Sequence, residues 1–314
     1  MQHSLTLWIY FNIFIVAMLI VDLAVFNRKE HEISIKESLV WTGIWIALSV
    51  VFGIGLYFYM DPQSSLDFFT GYLIEKSLSV DNIFVFILVF SYFGVPAKFQ
   101  HKVLFWGIFG ALVMRFLFIF LGVALIERFE WIIYIFGAFL VYTGIKMAFE
   151  LEKEVHPERN PLLKLTRKLI PVTNKFDGPN FFTRIDGKLM ATPLFVVLIV
   201  IETTDLVFAI DSIPAILAIT TDEFLVYSSN AFAILGLRAL YFALNGVMKL
   251  FHYLHYGLAA ILSFVGVKML LAEFFHVPTP YALGFVGLAL IISIGASSMF
   301  PKKEEKSPQR PKDQ

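Results

Sequence analysis

The sequence predicts an all-α membrane protein of about nine transmembrane helices, with spans 3–5 and 6–8 forming two inverted three-helix repeats. Three observations lead there. The chain of 314 residues is 58% hydrophobic and only 16% charged, where soluble domains carry about 25% charged residues. Its apolar residues are grouped into segments of membrane-spanning length. And a set of polar and glycine positions recurs in order at a nearly constant spacing. Mean hydropathy is +0.75. Net charge is zero, so no basic field exists for nucleic acid. The absence of cysteine rules out disulfides, thiolate metal sites and cysteine nucleophiles.

Taken in order, the spans are roughly 5–26, 38–60, 66–93, 103–126, 131–150, 190–217, 224–248, 253–274 and 281–299. The first is read as a helix, not a cleaved signal peptide. Met1 to Tyr10 carries no Lys or Arg, and the apolar run to Phe26 is too long for a signal core. The chain divides into two N-terminal transmembrane helices (1–60), a first three-helix repeat (61–150), a cytoplasmic loop (151–189), a second repeat (190–275), a last helix (276–300) and a disordered, charged cytoplasmic tail (301–314). Positive charge alternates loop by loop. Arg28, Lys29 and Lys36 follow span 1; Lys98 and Lys102 follow span 3; the 151–189 loop and the tail are basic; the 2–3 and 6–7 connections carry no Lys or Arg. The positive-inside rule then puts the N-terminus outside and the C-terminus in the cytoplasm. In the long loop, Leu162 to Ile170 reads as a short basic amphipathic helix on the membrane. Phe181 to Leu189 reads as a hairpin turning at Asp186-Gly187.

The repeat rests on Asp81, Arg115 and Gly144-Ile145-Lys146-Met147 in the first half, matched by Asp205, Arg238 and Gly266-Val267-Lys268-Met269 in the second. Gly110 and Gly236 fall between the matched positions. Each unit has three spans, an odd number, so the second copy inserts upside down. In secondary transporters such repeats place the site near the midplane, at their interface.

Five acids lie inside the apolar spans: Glu75 and Asp81 in the third, Glu202, Asp205 and Asp211 in the sixth. A charge at a helix centre costs about 2.5–3.5 kcal/mol by insertion scales, so the three in the sixth span would cost about 8–10 kcal/mol if unpaired. Glu202 and Asp205 share a helical face. Glu75 and Asp81, and Glu202 and Asp211, do not. Either several sites exist or the helices break. Pro214 removes a donor to the Ile210 carbonyl, so the sixth span is expected to be irregular near Asp211. The ligand chemistry is carboxylate, amide (Asn82), hydroxyl and carbonyl oxygen, which suits hard divalent cations such as Mn²⁺, Mg²⁺ and Ca²⁺. The seven histidines fall at span ends and in loops. The bland reading is that Arg115 and Arg238 neutralise two acids for packing alone. Five acids against two central bases leave a surplus that this reading does not use. Lys76 can pair with Glu75 or snorkel; Lys146 and Lys268 read as interfacial anchors.

Glu75-Lys76-Ser77-Leu78-Ser79-Val80-Asp81-Asn82, the run from Glu202 to Pro214, and Asn230 to Arg238 resemble the signature segments of the TerC family, named for tellurium resistance. The resemblance covers about residues 5–300 and looks like the alkali-induced Alx branch. It implies a bacterial inner-membrane protein that exports Mn²⁺, with Glu75, Asp81, Asn82, Glu202, Asp205 and Asp211 as the metal-handling set. No resident cofactor is implied; the partners are the metal cargo and the bilayer. No phosphate-binding Gly-x-x-x-x-Gly-Lys-Ser/Thr loop occurs, so transport is expected to draw on an ion gradient. The alternative is a non-transporting membrane scaffold in a metal or tellurite stress complex, docking through the 151–189 loop. Intramembrane proteolysis is disfavoured, since neither Gly-x-Gly-Asp nor His-Glu-x-x-His occurs.

Overall fold

The computed structural model describes residues 5–26, 35–129, 131–149, 170–173, 175–185, 187–245, 253–271, 274–275 and 277–299. Helices lie at every predicted span: α1 (Leu5–Phe26), α2 (Ile35–Tyr59), α3 (Pro62–Tyr92), α4 (Ala97–Arg128), α5 (Ile132–Phe149), α6 (Pro193–Leu217), α7 (Glu223–Leu235), α8 (Leu237–Asn245), α9 (Leu254–Leu270) and α10 (Thr279–Met299). Six helical segments are long and apolar enough to cross a membrane, taking α7 and α8 together. The anticipated amphipathic helix at 162–170, most of the 151–189 loop and the tail lie outside the described residues.

The one sheet among the described residues is the predicted hairpin. Strands β1 (Phe182–Ile185) and β2 (Lys188–Ala191) pair antiparallel, with Ile185 opposite Lys188. Gly187 takes the positive φ of 76° that the tight turn needs.

The bundle is built around α3, α4, α6 and α7. α3 packs on α7, α4 packs on α6, and α3 crosses α6. The segment Glu223–Leu244 is 94% buried, against 22% for α10, so α7 and α8 form the inner post. α5 and α9 make the most extensive helix pair, at one side, and α10 covers α9 and α3. α2 lies on α3 and α8, and α1 on α7.

Glycine lets α5 and α9 touch backbone to backbone. A Cβ at Gly266 would lie 2.7 Å from the Gly137 carbonyl oxygen and 2.8 Å from the Val141 nitrogen. One at Gly144 would lie 2.7 Å from the Ala259 carbonyl oxygen and run into Ser263. Lipid is as apolar as the helix surfaces, so close backbone packing of this kind is what holds membrane helices together.

One expectation fails here. The sixth span is not irregular near Asp211: α6 is a continuous helix through Pro214. A membrane helix tolerates one missing hydrogen bond when neighbours surround it. The interruption lies instead in the seventh span. There Gly236 separates α7 from α8, its own N–H turning back to the Ile234 carbonyl.

Gly266→Val is expected to lower stability in detergent by about 1–3 kcal/mol through overpacking. Gly284→Val, at a position with open space around it, should stay within about 0.5 kcal/mol. Unfolding titrations of the two variants check this. A second test concerns the α3 N-cap. Asp61 accepts from the Ser64 hydroxyl at 2.7 Å and the Ser64 N–H at 2.8 Å. Those bonds, the hydroxyl first, hold its carboxyl below the usual range. A depressed folded value means the cap's stabilisation is full above the ordinary value of 3.8 and is lost as pH falls through the lower, folded one. Melting curves between neutral and acid pH should therefore show an acid-side loss that shrinks in Asp61→Ser.

Candidate functional site: a charge network at the bundle centre

Near the middle of α4, Arg115 reaches between α3 and α6. Its Nη1 is ion-paired with Glu75 Oε1, and its Nη2 lies 3.5 Å from Asp205 Oδ1. Nη1 also donates to Asn230 Oδ1 at 2.8 Å and Ser212 Oγ at 3.3 Å. Asn82 Nδ2 donates to the same Asp205 oxygen at 3.3 Å, and Ser79 Oγ to Glu75 Oε1 at 3.3 Å. Glu75 is 0%, Arg115 1% and Asp205 3% exposed. Water therefore neutralises none of them. One guanidinium, with its planar fork of donors, holds two carboxylates from two helices.

The order of the chain accounts for this meeting. Glu75 and Asp205 lie near the midpoints of α3 and α6, and α4 packs along α6, so its central Arg meets both. Asn230 is buried in α7, donating to the Val226 carbonyl at 2.9 Å while its oxygen faces Arg115. Thr203 and Thr204 bond back to the carbonyls of Ile199 and Val200 and are spent within the helix.

Glu202, on the next turn of α6, lies against α4 at Gly110. A Cβ there would run into its carboxylate. Gly107, one turn earlier, makes similar room for Ile201. The two glycines form a shallow groove on α4 that receives an acid.

Acceptors remain unsatisfied. Glu75 Oε2, Asp205 Oδ2, Glu202 Oε2 and Asn82 Oδ1 are buried without a hydrogen-bond partner. Each such group costs about 1–3 kcal/mol. All four are hard oxygen donors. Of the six predicted residues, the structure brings Glu75, Asn82 and Asp205 into one network and puts Glu202 one turn along α6. The backbones of Asp81 and Asp211 belong to α3 and α6; their side chains lie outside the described residues. Among the described residues, no three acid or histidine side chains are gathered in metal-binding geometry. Arg115 is the cation that Glu75 and Asp205 share.

In the bland reading of the sequence Arg115 and Arg238 neutralise Asp81 and Asp205 for packing alone; the side chain of Asp81 lies outside the described residues. Arg115 takes Glu75 and Asp205, while Arg238 is buried on α8. Sequence reasoning also missed Ser212 and Asn230, and it left Lys76 either to pair with Glu75 or to snorkel. Lys76 does not snorkel. Its Nζ donates to the Ala233 carbonyl at 3.1 Å, a carbonyl of the last turn before Gly236. The helix break and the lysine that caps it face each other. An isolated glycine in an apolar helix was the available signal.

A cavity of about 10 Å³ touches Asp205 and runs between Gly107, Ile108, Phe86 and Leu237. Gly107 lies early in α4 and Phe86 late in α3, so it leads toward the hairpin end. It is about the size of one water.

Fold and centre together define a multi-pass helical membrane protein with a buried charge network shared between helices. The family profile described as "Integral membrane protein TerC family" matches residues 60–305, and the chain belongs to that family. A Myxococcus xanthus protein described as "Uncharacterized membrane protein STKORF319" is 48% identical over 307 residues, covering 96% of each chain. "Putative membrane-bound redox modulator Alx" of Escherichia coli (strain K12) is 47% identical over 297 residues, 91% of this chain and 92% of that one. The resemblance to the Alx branch is thus borne out. No solved structure matches the chain.

Removing the shared cation should be costly. Arg115→Met strands two buried carboxylates and is expected to destabilise by about 3–5 kcal/mol. Adding Glu75→Gln should recover part of that loss, the two sites coupling by about 0.5–3 kcal/mol. A double-mutant cycle on detergent unfolding measures it.

Proposed function

We propose that this protein is a secondary transporter exporting Mn²⁺ from the cytoplasm through the network around Glu75, Asp205 and Arg115. The observation that carries the reading is the set of four buried, unpartnered oxygens on Glu75, Asn82, Glu202 and Asp205. They make a hard-donor environment that one guanidinium only partly satisfies. In this reading Arg115 neutralises the empty site, and an arriving dication displaces it. Asp81 and Asp211 complete the set. A carboxylate that gives up the metal can take a proton in exchange, which would couple export to a proton gradient.

Two relations support the inverted repeat, α3–α5 against α6–α9. Gly144 meets Ala259 and Ser263, while Gly266 meets Gly137 and Val141. Each pair is displaced by the same 122 residues that separate the glycines, as a pseudo-two-fold axis between α5 and α9 requires. Likewise α3 packs on α7 as α6 packs on α4. The bridging by Arg115 also favours matching Glu75-x₅-Asp81-Asn82 with Asp205-x₅-Asp211-Ser212, a better register for α3 and α6 than Asp81 with Asp205. Rocking of the two repeats would expose the centre alternately.

The positive-inside pattern orients the hairpin end toward the cytoplasm, with the N-terminus outside and the C-terminus inside the bacterial inner membrane. The narrow cavity at Asp205 then lies on the cytoplasmic side. The E. coli relative's name speaks of redox modulation. With no cysteine, this chain has no thiol couple of its own, so an influence on redox state would pass through its cargo.

Inside-out vesicles loaded with a metal-sensitive dye test the proposal. Wild type should accumulate Mn²⁺ in preference to Zn²⁺. Asp205→Asn should lower the rate by about tenfold or more. Deleting 151–169 should leave it within about threefold, since those residues lie outside the apolar spans. Equal transport by wild type and Asp205→Asn would refute the reading. A stress phenotype lost with the loop but intact in Asp205→Asn would favour the scaffold.

A further inference from the structure

The opposite end of the bundle holds a larger cavity, of about 130 Å³, where the N-terminal ends of α5 and α10 meet the C-terminal ends of α6 and α9. Ile133, Ala218, Ile219, Lys268, Val277 and Thr279 line it. It has room for about four waters.

Beside it lies an acid that the central network does not use. Asp67, in the second turn of α3, is only 9% exposed. Its Oδ1 accepts from Gln63 Nε2 at 2.7 Å and Thr279 Oγ1 at 3.0 Å, and Gln63 Nε2 also reaches Thr279 Oγ1 at 2.8 Å. The neighbouring acids have other work: Asp61 caps α3, and Asp222 caps α7 through the Phe224 and Leu225 N–H groups. Asp67 caps no helix.

Lys268 adds the second observation. It does not reach outward as an interfacial anchor. Its Nζ donates to the carbonyl of Ala218, the C-cap residue of α6, at 3.1 Å, and it shares the cavity wall with Thr279, the partner of Asp67. A helix C-terminus carries partial negative charge. An ammonium is thus held by a helix-end carbonyl beside a polar cavity. Carboxylate, hydroxyl and backbone carbonyl supply oxygens that a hard, partly hydrated cation also prefers, while Gln63 turns its Nε2 to the carboxylate and the hydroxyl.

Asp67 and Glu75 are eight residues, or about 12 Å, apart along α3. Between them, Gly71 leaves the space that Ser229 Oγ occupies. Ser229 adjoins Asn230, which holds Arg115.

We propose that the cavity is an extracytoplasmic release site for the transported divalent cation. Asp67 and Thr279 receive the ion, and Lys268 is a tethered cation that competes with it and shortens its stay. This rests on the exporter reading. The plainer role for Asp67 is to pin α10 to α3 through Thr279, which the neutral amide of Asn would also do.

The cysteine-free chain allows a direct test. Val277→Cys puts a thiol in the cavity wall, and an impermeant maleimide is added to right-side-out vesicles with and without Mn²⁺. The thiol should label from outside, and Mn²⁺ should slow the labelling. Asp67→Asn should raise the Mn²⁺ needed for half-protection by roughly tenfold, and Lys268→Gln should lower it several-fold. A role in packing alone would not move the two variants in opposite directions. Absence of labelling, absence of protection, or equal protection with Asp67→Asn overturns the release site, whatever the vesicle dye assay gives. If the dye assay shows no Mn²⁺ movement while Asp67-dependent protection persists, the exporter reading falls and a cation site at this cavity remains.

Discussion

One guanidinium holds the centre of this protein together. Three charges from three helices lie where neither water nor lipid can compensate them, and Arg115 is the common partner of the other two. The cost of separating buried opposite charges is large, whereas the net gain from forming them is small. The network therefore acts less as glue than as a constraint on geometry. α4 must pass beside the crossing of α3 and α6 at the height of Glu75 and Asp205, α7 must present Asn230, and Gly107 and Gly110 must be small enough for α6 to approach.

The two polar places in the bundle share a design. At the centre, carboxylates and amides surround the guanidinium of Arg115. At the far end, a helix-end carbonyl accepts from the ammonium of Lys268, and the Thr279 hydroxyl in the same cavity wall is bonded to the Asp67 carboxylate. Each is rich in oxygen and each holds a covalently attached cation. Lys76, at the Gly236 break, is a second case, after Lys268, in which a side-chain cation answers backbone oxygen.

What could be read from the sequence follows from what hydrophobicity encodes. The position of every described span was legible, because about 20 apolar residues in a row have one use in a membrane. The hairpin was legible because Asp186-Gly187 sits between strand-like residues. The acids stood out as costs in Glu75–Asn82 and Glu202–Pro214. Partnerships between helices did not. In soluble proteins a 3.6-residue stripe marks the buried face. Here lipid-facing and core-facing positions are equally apolar, so the rotation of α4 that aims Arg115 at Glu75 and Asp205 left no periodic trace. Pro214 misled because its helix is enclosed by neighbours, while Gly236 looked ordinary until Lys76 was found against its break.

The glycine seam between α5 and α9 has a mechanical meaning. Most helix pairs interlock through side chains, and sliding one past the other lifts knobs out of holes. Where Gly137, Gly144 and Gly266 bring main chain against main chain, there is little to lift. A small displacement along the seam exchanges one smooth backbone contact for another and frees no rotamers. Such a seam resists being pulled apart more than being sheared, so the easiest displacement of α5 relative to α9 runs along it.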